Sequence, residues 1–188
     1  HKLYDQKSWP MRKIAIISPS VRKGRNSHRA ALFFLNLITE KNLAEAEILD
    51  LLEYDFPLFN ERLKYQDSPL ERAKDFAERI KSADGVIVLS VEYNGAPPAS
   101  LKNAVDLLTD EWRRKPLAFV SLSDGHFGGT QAIIALQFAF LKLGAVSVPS
   151  VLRIPFIKDA FDINGVPGDR ETWEKRGVAL VNELLWYV

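Results

Sequence analysis

The chain has 188 residues, with 25 Lys and Arg against 24 Asp and Glu, and it contains no cysteine. This length suits one domain, the near-neutral charge argues against a nucleic-acid partner, and the absence of cysteine excludes disulfides, thiolate metal sites and thiol catalysis. No apolar run reaches the roughly 18 residues of a membrane span, and no secretory signal pattern occurs, so we expect a cytoplasmic protein without a membrane span.

Residues 1–10 precede Met11, the only methionine. Their polar sequence, which begins with His1, is typical of an expression-tag remnant. We assign them no part in the fold and expect residues 11–188 to form a single domain.

Five short runs of largely apolar residues predict strands. Residues 13–18, 85–90 and 117–122 are almost entirely apolar, which suits burial on both faces of a sheet. Residues 47–52 and 146–152 are weaker, and Pro149 in the last run is typical of an edge strand.

Five stretches with helical spacing of apolar residues alternate with these strands, namely 26–41, 69–82, 98–109, 129–143 and 170–186. Candidate N-terminal caps open the first, second and last of them: Asn26 or Ser27, Ser68 with Glu71, and Asp169 or Thr172. Strict alternation of strand and helix requires right-handed crossovers. The predicted fold class is therefore α/β, a three-layer sandwich with a five-stranded parallel sheet covered by helices on both faces.

In such a sheet a ligand binds beyond the carboxyl ends of the strands, so the loops after the three strongest strands are the expected site. The first loop, 18–27, places three serines, one asparagine and two arginines around a glycine just before a helix. Hydroxyls, guanidinium groups and the free N–H groups of a helix N-terminus are typical of a phosphate site, although a capped, solvated loop is the alternative. The glycine-rich P-loop and dinucleotide motifs are missing, which favours a terminal phosphate monoester over a pyrophosphate.

The second loop, 91–98, contains Tyr93, Asn94 and Gly95. They offer an aromatic plane, a turn suited to positive φ and exposed N–H groups to a flat heteroaromatic ligand. An ordinary turn before a helix is the alternative interpretation.

The third loop, 123–129, holds three glycines that let the backbone approach a ligand. Ser123, Asp124 and His126 also lie in this loop and suggest a hydrolase. Close neighbours in one loop rarely achieve the geometry of a catalytic triad, so we do not favour that interpretation.

The three loops together resemble the NADPH-dependent FMN reductase family. The motifs are S-x-R-x-G-R-N-S, E-Y-N-G-x-x-P-x-x-L-K-N-A-x-D and S-x-G-x-x-G-G, and the resemblance covers roughly residues 12–186. It implies a flavodoxin-like, FMN-binding domain with strand order 2-1-3-4-5.

The resemblance also implies which residues bind FMN. The first loop would hold the phosphate, the second would line the isoalloxazine ring and the third would approach the pyrimidine edge of that ring. The residues so assigned are Ser20, Arg22, Arg25, Asn26 and Ser27, then Glu92, Tyr93, Asn94 and Gly95, then Ser123, Asp124 and Gly125. No catalytic acid or base and no metal ligand is assigned, because the flavin carries the chemistry.

Three positions depart from the family's usual residues: Pro19, Val91 and the 124–126 segment. Pro19 removes one backbone N–H from the phosphate loop.

The implied function is an FMN-dependent oxidoreductase that passes hydride from NADPH or NADH to a small-molecule acceptor in ping-pong order. Quinones, azo compounds, metal oxyanions and free flavin are the acceptors considered. The alternatives are a flavodoxin-like electron carrier without its own nicotinamide site, an esterase that uses Ser123 or Ser20, and a homologue that has lost its cofactor.

A homodimer or homotetramer is also implied. Helix 98–109 and the residues 112–114 are the expected interface. Four aromatic residues at helical positions are expected in the core or on an oligomer face, namely Phe33, Phe34, Phe138 and Phe140.

Overall fold

Five parallel strands form one sheet in the order β2-β1-β3-β4-β5, which confirms the predicted flavodoxin-like topology. The computed structural model describes residues 11–125 and 129–188, so the predicted tag remnant and His126 lie outside the described residues. The strands are β1 (Lys13–Ser18), β2 (Glu45–Asp50), β3 (Gly85–Val91), β4 (Pro116–Leu122) and β5 (Val146–Ile154).

Seven helices connect or follow the strands in the described part of the chain. They are α1 (Ser27–Glu40), α2 (Leu51–Tyr54), α3 (Glu71–Ser82), α4 (Ala99–Leu107), α5 (Thr130–Lys142), α6 (Ile157–Ala160) and α7 (Arg170–Trp186). The five long helices correspond to the five predicted ones. The one-turn helices α2 and α6 were not predicted, since four residues carry too little periodicity.

The sheet is buried on both faces. Alternate strand residues such as Ile16 and Val120 face one core with α1 and α7, whereas Ile17 and Phe119 face a second core with α3, α4 and α5. Because each face is covered by helices, polar groups of the central strands gather at the strand ends.

Several predicted boundaries are wrong by a few residues. β2 ends at Asp50 because the Asp50 carboxylate accepts the Leu52 N–H bond and so begins α2. α3 begins at Glu71 after Leu70, which leaves Ser68 outside the helix and rules out the predicted capping box. β5 is an edge strand, as predicted from Pro149, and its pairing with β4 shifts register there.

The expected interface needs a correction at Trp112. Its side chain is fully buried, and its indole N–H donates to the Val105 carbonyl at 3.1 Å. Trp112 is therefore a core residue. Phe33, Phe34 and Phe140 are also in the core, whereas Phe138 is 65% exposed.

No helix in the described ranges is long and apolar enough to cross a bilayer.

We predict that Gly177→Ala destabilises the fold by about 1 to 2 kcal/mol, despite the better helix propensity of alanine. A Cβ at Gly177 would lie 2.6 Å from the Leu37 side chain and 3.1 Å from the Phe33 ring, so α1 and α7 would have to separate. Urea unfolding measures the change. Lys175→Ala, at an exposed position of the same helix, is the control and should stay within about 0.5 kcal/mol of wild type.

Candidate functional site

A cleft of about 220 Å³ lies where β1, β3 and β4 end. Nine of the twelve predicted site residues line it: Ser20, Arg22, Arg25, Asn26, Ser27, Glu92, Tyr93, Ser123 and Asp124. Gly24, Val91, Leu122 and Ile157 complete the lining. Ile157 belongs to the unpredicted α6, and no local sequence signal marks it as a cleft residue.

The N-terminus of α1 is open toward this cleft. Asn26 occupies the N-cap position but makes no side-chain capping bond, and the first turn contains no acidic residue. The Ser27 hydroxyl is buried and has no hydrogen-bond partner among the described residues. An open helix end with its positive partial charge and a spare hydroxyl is suited to an anion, and the exposed Arg22 guanidinium lies on the same cleft.

The Arg25 guanidinium is hydrogen-bonded mainly to other groups of the protein. Its guanidinium forms a bidentate ion pair with the Asp50 carboxylate and donates to the Ser20 carbonyl at 2.8 Å. Both side chains are nearly buried, at 13% and 5% exposure. This pair ties the first loop to the end of β2, and the predicted bond from Arg25 to a ligand phosphate stays a prediction.

The environment of Asp50 lowers the pKa of its carboxyl group. Burial acts to raise that pKa, but the hydrogen bonds from Arg25 and from the Leu52 N–H outweigh it. Asp50 is therefore an anion at neutral pH, held between the first loop and α2.

His28 does not form a catalytic relay. Its Nδ1 lies 3.1 Å from the Ser18 hydroxyl and 3.4 Å from the Asp50 carboxylate, whereas a Ser-His-Asp triad needs its serine and aspartate on opposite ring nitrogens. Burial lowers the pKa of His28, although Asp50 opposes the shift. Among residues 11–125 and 129–188, no group of three or more His, Asp or Glu side chains could hold a metal ion.

Two hydrogen bonds fix the first loop against its neighbours. The Ser20 hydroxyl accepts the Arg22 N–H at 3.2 Å and lies 3.0 Å from the Tyr93 hydroxyl of the second loop. The Pro19 carbonyl accepts a bond of 2.6 Å from the Ser100 hydroxyl at the start of α4. Pro19 therefore contributes to the loop through its carbonyl although it has no N–H.

The second loop is a tight hairpin. Tyr93 and Ala96 exchange two backbone hydrogen bonds of 2.9 and 3.1 Å, and the residues between them, Asn94 and Gly95, have φ values of +54° and +79°. Positive φ at both central positions is the signature of a type I′ turn, which Asn-Gly favours. The expected turn is thus present, but neither Asn94 nor Gly95 is among the residues that line the cleft.

The third loop is described as far as Gly125 and again from Gly129. The Ser123 hydroxyl donates to the Gly125 carbonyl at 2.5 Å, and Asp124 and Gly125 are exposed. Across the cleft, the Glu92 carboxylate accepts N–H bonds from the first turn of α5.

The second half of the long motif has a structural role. The Asn103 side chain accepts the Phe59 N–H at 2.6 Å and donates to the Pro57 carbonyl at 2.8 Å, which holds the segment after α2. Lys102 and Asp106, one turn apart on α4, form an ion pair at 2.6 Å. These contacts explain the K-N-A-x-D spacing without any contact to the cleft.

We predict that Asp50→Asn destabilises the protein by about 2 to 4 kcal/mol at pH 7, because it leaves the Arg25 guanidinium nearly buried without its anion. The native carboxyl has a pKa below the ordinary 3.8, so the stability it contributes is complete well above that value. That contribution is lost as the pH falls through 3.8 and then through the native pKa.

Urea unfolding between pH 7 and pH 3 tests this expectation. The difference in the free energy of unfolding between Asp50→Asn and wild type should become smaller below pH 3.8. Asp67→Asn, at an exposed position, is the control. A difference between wild type and Asp50→Asn that does not depend on pH would contradict the assigned ion pair.

Comparisons with known proteins identify the family of this chain. Residues 12–159 match the family model for NADPH-dependent FMN reductase. A quinone reductase from Pseudomonas putida strain KT2440 is 32% identical over 144 residues, which cover 72% of this chain and 74% of the relative. An NADPH azoreductase from Bacillus sp. strain OY1-2 is 28% identical over 138 residues, 73% of each protein.

Solved structures resemble the whole domain. FerB, a flavoenzyme NAD(P)H:(acceptor) oxidoreductase from Paracoccus denitrificans, superposes with a TM-score of 0.75 at 25% identity and covers 94% of this chain and 97% of its own. A flavodoxin from Pseudomonas aeruginosa shares the fold, with a TM-score of 0.57 at 20% identity over 92% of this chain and 99% of its own. The chain therefore belongs to the NADPH-dependent FMN reductase family, as its loop motifs predicted, and is an oxidoreductase with FMN and NAD(P)H as its cofactors.

Proposed function

We propose that the cleft binds FMN non-covalently, with the phosphate at the open N-terminus of α1. The observation that carries this assignment is the buried Ser27 hydroxyl, which has no partner among the described residues and lines the same cleft as the exposed Arg22. Ser27, the N–H groups of the first turn and the Arg22 guanidinium supply the directed donors that a phosphate monoester requires. The donor set therefore fits the group.

The ring would lie between the second and third loops. Tyr93, Glu92 and Asp124 face this part of the cleft. The Tyr93 hydroxyl lies 3.0 Å from the Ser20 hydroxyl, so one hydrogen bond joins the first loop to the proposed ring site.

The chemistry supplied by the flavin there is two-electron transfer from a nicotinamide to an acceptor. The residues of this chain bind and orient, and none of them is assigned as a catalytic acid or base. We propose that NAD(P)H and the acceptor bind in turn, which is a ping-pong order, because both would exchange electrons with the same flavin ring.

We propose a quinone as the first acceptor to test. The support is the quinone reductase from Pseudomonas putida, which is 32% identical. Azo compounds, metal oxyanions and free flavin are the other acceptors to compare. Parallel double-reciprocal plots for NADPH and a quinone would support successive binding, and intersecting plots would contradict it.

The experiment that tests the function is the visible spectrum of the protein after addition of FMN and then of NADPH under anaerobic conditions. Bound flavin that bleaches with NADPH supports the reductase. Bound flavin that bleaches only with dithionite would favour the electron carrier, and a protein that takes up no FMN would contradict the proposal.

We predict that Arg22→Ala weakens FMN binding by about 1.5 to 3 kcal/mol, or about 10- to 150-fold in Kd, because a charge-assisted bond to the phosphate is lost. Titration of the apo-protein with FMN, followed by flavin fluorescence, measures the change. Lys23→Ala is the matched control, since Lys23 is an exposed neighbour that does not line the cleft. Equal FMN affinity in Arg22→Ala and Lys23→Ala would overturn the phosphate assignment.

We also propose that the protein is a homodimer or homotetramer. The expected interface at 98–109 and 113–114 stays a prediction, and the exposed face of α5 is a second candidate contact surface. Ile134, Phe138 and Leu141 lie one to two turns apart on α5 and are 61%, 65% and 66% exposed. A row of large apolar side chains at helical spacing is typical of a surface that packs against a protein partner.

Phe138→Glu should lower the molar mass measured by light scattering, because a charge would be buried in the contact. Lys175→Glu introduces the same charge on the exposed side of α7 and should leave the molar mass unchanged. A wild-type protein that is monomeric at micromolar concentration would contradict the proposal.

A further inference from the structure

The N-terminus of α5 receives its cap from a distant part of the chain. Gly129 occupies the N-cap position and has no side chain, and the first turn of α5 contains no acidic residue. The Glu92 carboxylate, 39 residues earlier, accepts the Gln131 N–H at 2.9 Å through Oε2, and the same oxygen accepts the Ala132 N–H at 3.2 Å. Two N–H groups that lack intrahelical acceptors are therefore satisfied by the second loop.

The hydrogen bonds of Glu92 require the second loop to lie close to the end of the third loop, where α5 begins. Gly129 has φ +71°, and a Cβ there would lie 3.2 Å from the Leu122 carbonyl and 3.4 Å from the Glu92 Cβ. The Gln131 side chain in turn lies against Gly95, where a Cβ would come within 2.8 Å of its Oε1. The second loop is thus joined to the start of α5 at Glu92 and at Gly95.

The Glu92 carboxylate also opposes the positive partial charge at the N-terminus of α5. A helix N-terminus carries about half a positive charge, which stabilises a nearby anion. At α5 this charge is opposed by the full negative charge of Glu92, whereas the N-terminus of α1 has no acidic residue in its first turn. The two helix ends therefore differ: the N-terminus of α1 keeps its positive partial charge, whereas that of α5 is neutralised by Glu92.

We propose that Glu92 is a positioning residue with two effects on the proposed flavin site. Its hydrogen bonds set the distance between the two loops that flank the ring, and its charge weakens the binding of reduced FMN relative to oxidised FMN. Reduction of FMN by two electrons with uptake of one proton leaves an extra negative charge on the ring, so an anion beside the ring favours the oxidised form over this anionic reduced form. This inference rests on the proposed function.

Two substitutions separate the two effects. Glu92→Gln keeps a side-chain oxygen that can accept the N–H bonds but removes the charge, whereas Glu92→Ala removes both. The measurements are the Kd values for oxidised FMN and for dithionite-reduced FMN under anaerobic conditions. Glu171→Gln, the same change at the exposed first turn of α7, is the matched control.

We expect Glu92→Gln to bind oxidised FMN with a Kd within about threefold of wild type. It should bind reduced FMN about 3- to 30-fold more tightly than wild type does. A purely structural role of Glu92 would leave the ratio of these two Kd values unchanged. Glu92→Ala should bind oxidised FMN about tenfold more weakly. Amide hydrogen exchange at Gln131 and Ala132 in the apo-protein should be faster in Glu92→Ala than in Glu92→Gln.

Other outcomes overturn the inference. An unchanged ratio of the two Kd values in Glu92→Gln would overturn the effect of charge. Unchanged exchange at Gln131 and Ala132 in Glu92→Ala would overturn the cap and with it the positioning role. If wild type takes up no FMN, the proposed function and the effect of charge both fail, while hydrogen exchange still decides whether Glu92 caps α5.

Discussion

Burial of the parallel sheet on both faces is the constraint on which the rest of this structure depends. Because α1 and α7 cover one face and α3, α4 and α5 cover the other, polar groups of the central strands have no place except the strand ends. The strand order places the carboxyl ends of β1, β3 and β4 side by side, where the connection changes direction. Three loops that are distant in sequence thereby become the walls of one cleft.

The helix N-termini at that cleft are used in opposite ways. The end of α1 is left open, with an unsatisfied Ser27 hydroxyl, whereas the end of α5 is occupied by the Glu92 carboxylate. An open end has a positive partial charge available for a ligand, and a capped end contributes rigidity instead. The protein thus leaves one helix end open, where we propose that the phosphate binds, and uses the other to join its own loops.

Polar contacts between segments that are distant in sequence explain several residues of the loop motifs. Arg25 pairs with Asp50, Ser20 contacts Tyr93, and Asn103 binds the backbone after α2. The Arg25–Asp50 pair is nearly buried, and a buried charge that is left without its partner destabilises a fold. Part of the loop motifs therefore holds the loops in place through contacts within the protein.

The sequence by itself determined the fold class, the order of strands and helices, the family and the loops that form the cleft, because hydrophobic periodicity and turn residues are local signals. It could not determine that the Arg25 guanidinium is committed to Asp50, that Glu92 caps α5, or that Trp112 is buried in the core. Those contacts join residues from 7 to 40 positions apart, and two of the three connect a loop to a different strand or helix. Only tertiary packing decides which donor reaches which acceptor, since each of these side chains has several partners that spacing alone would allow.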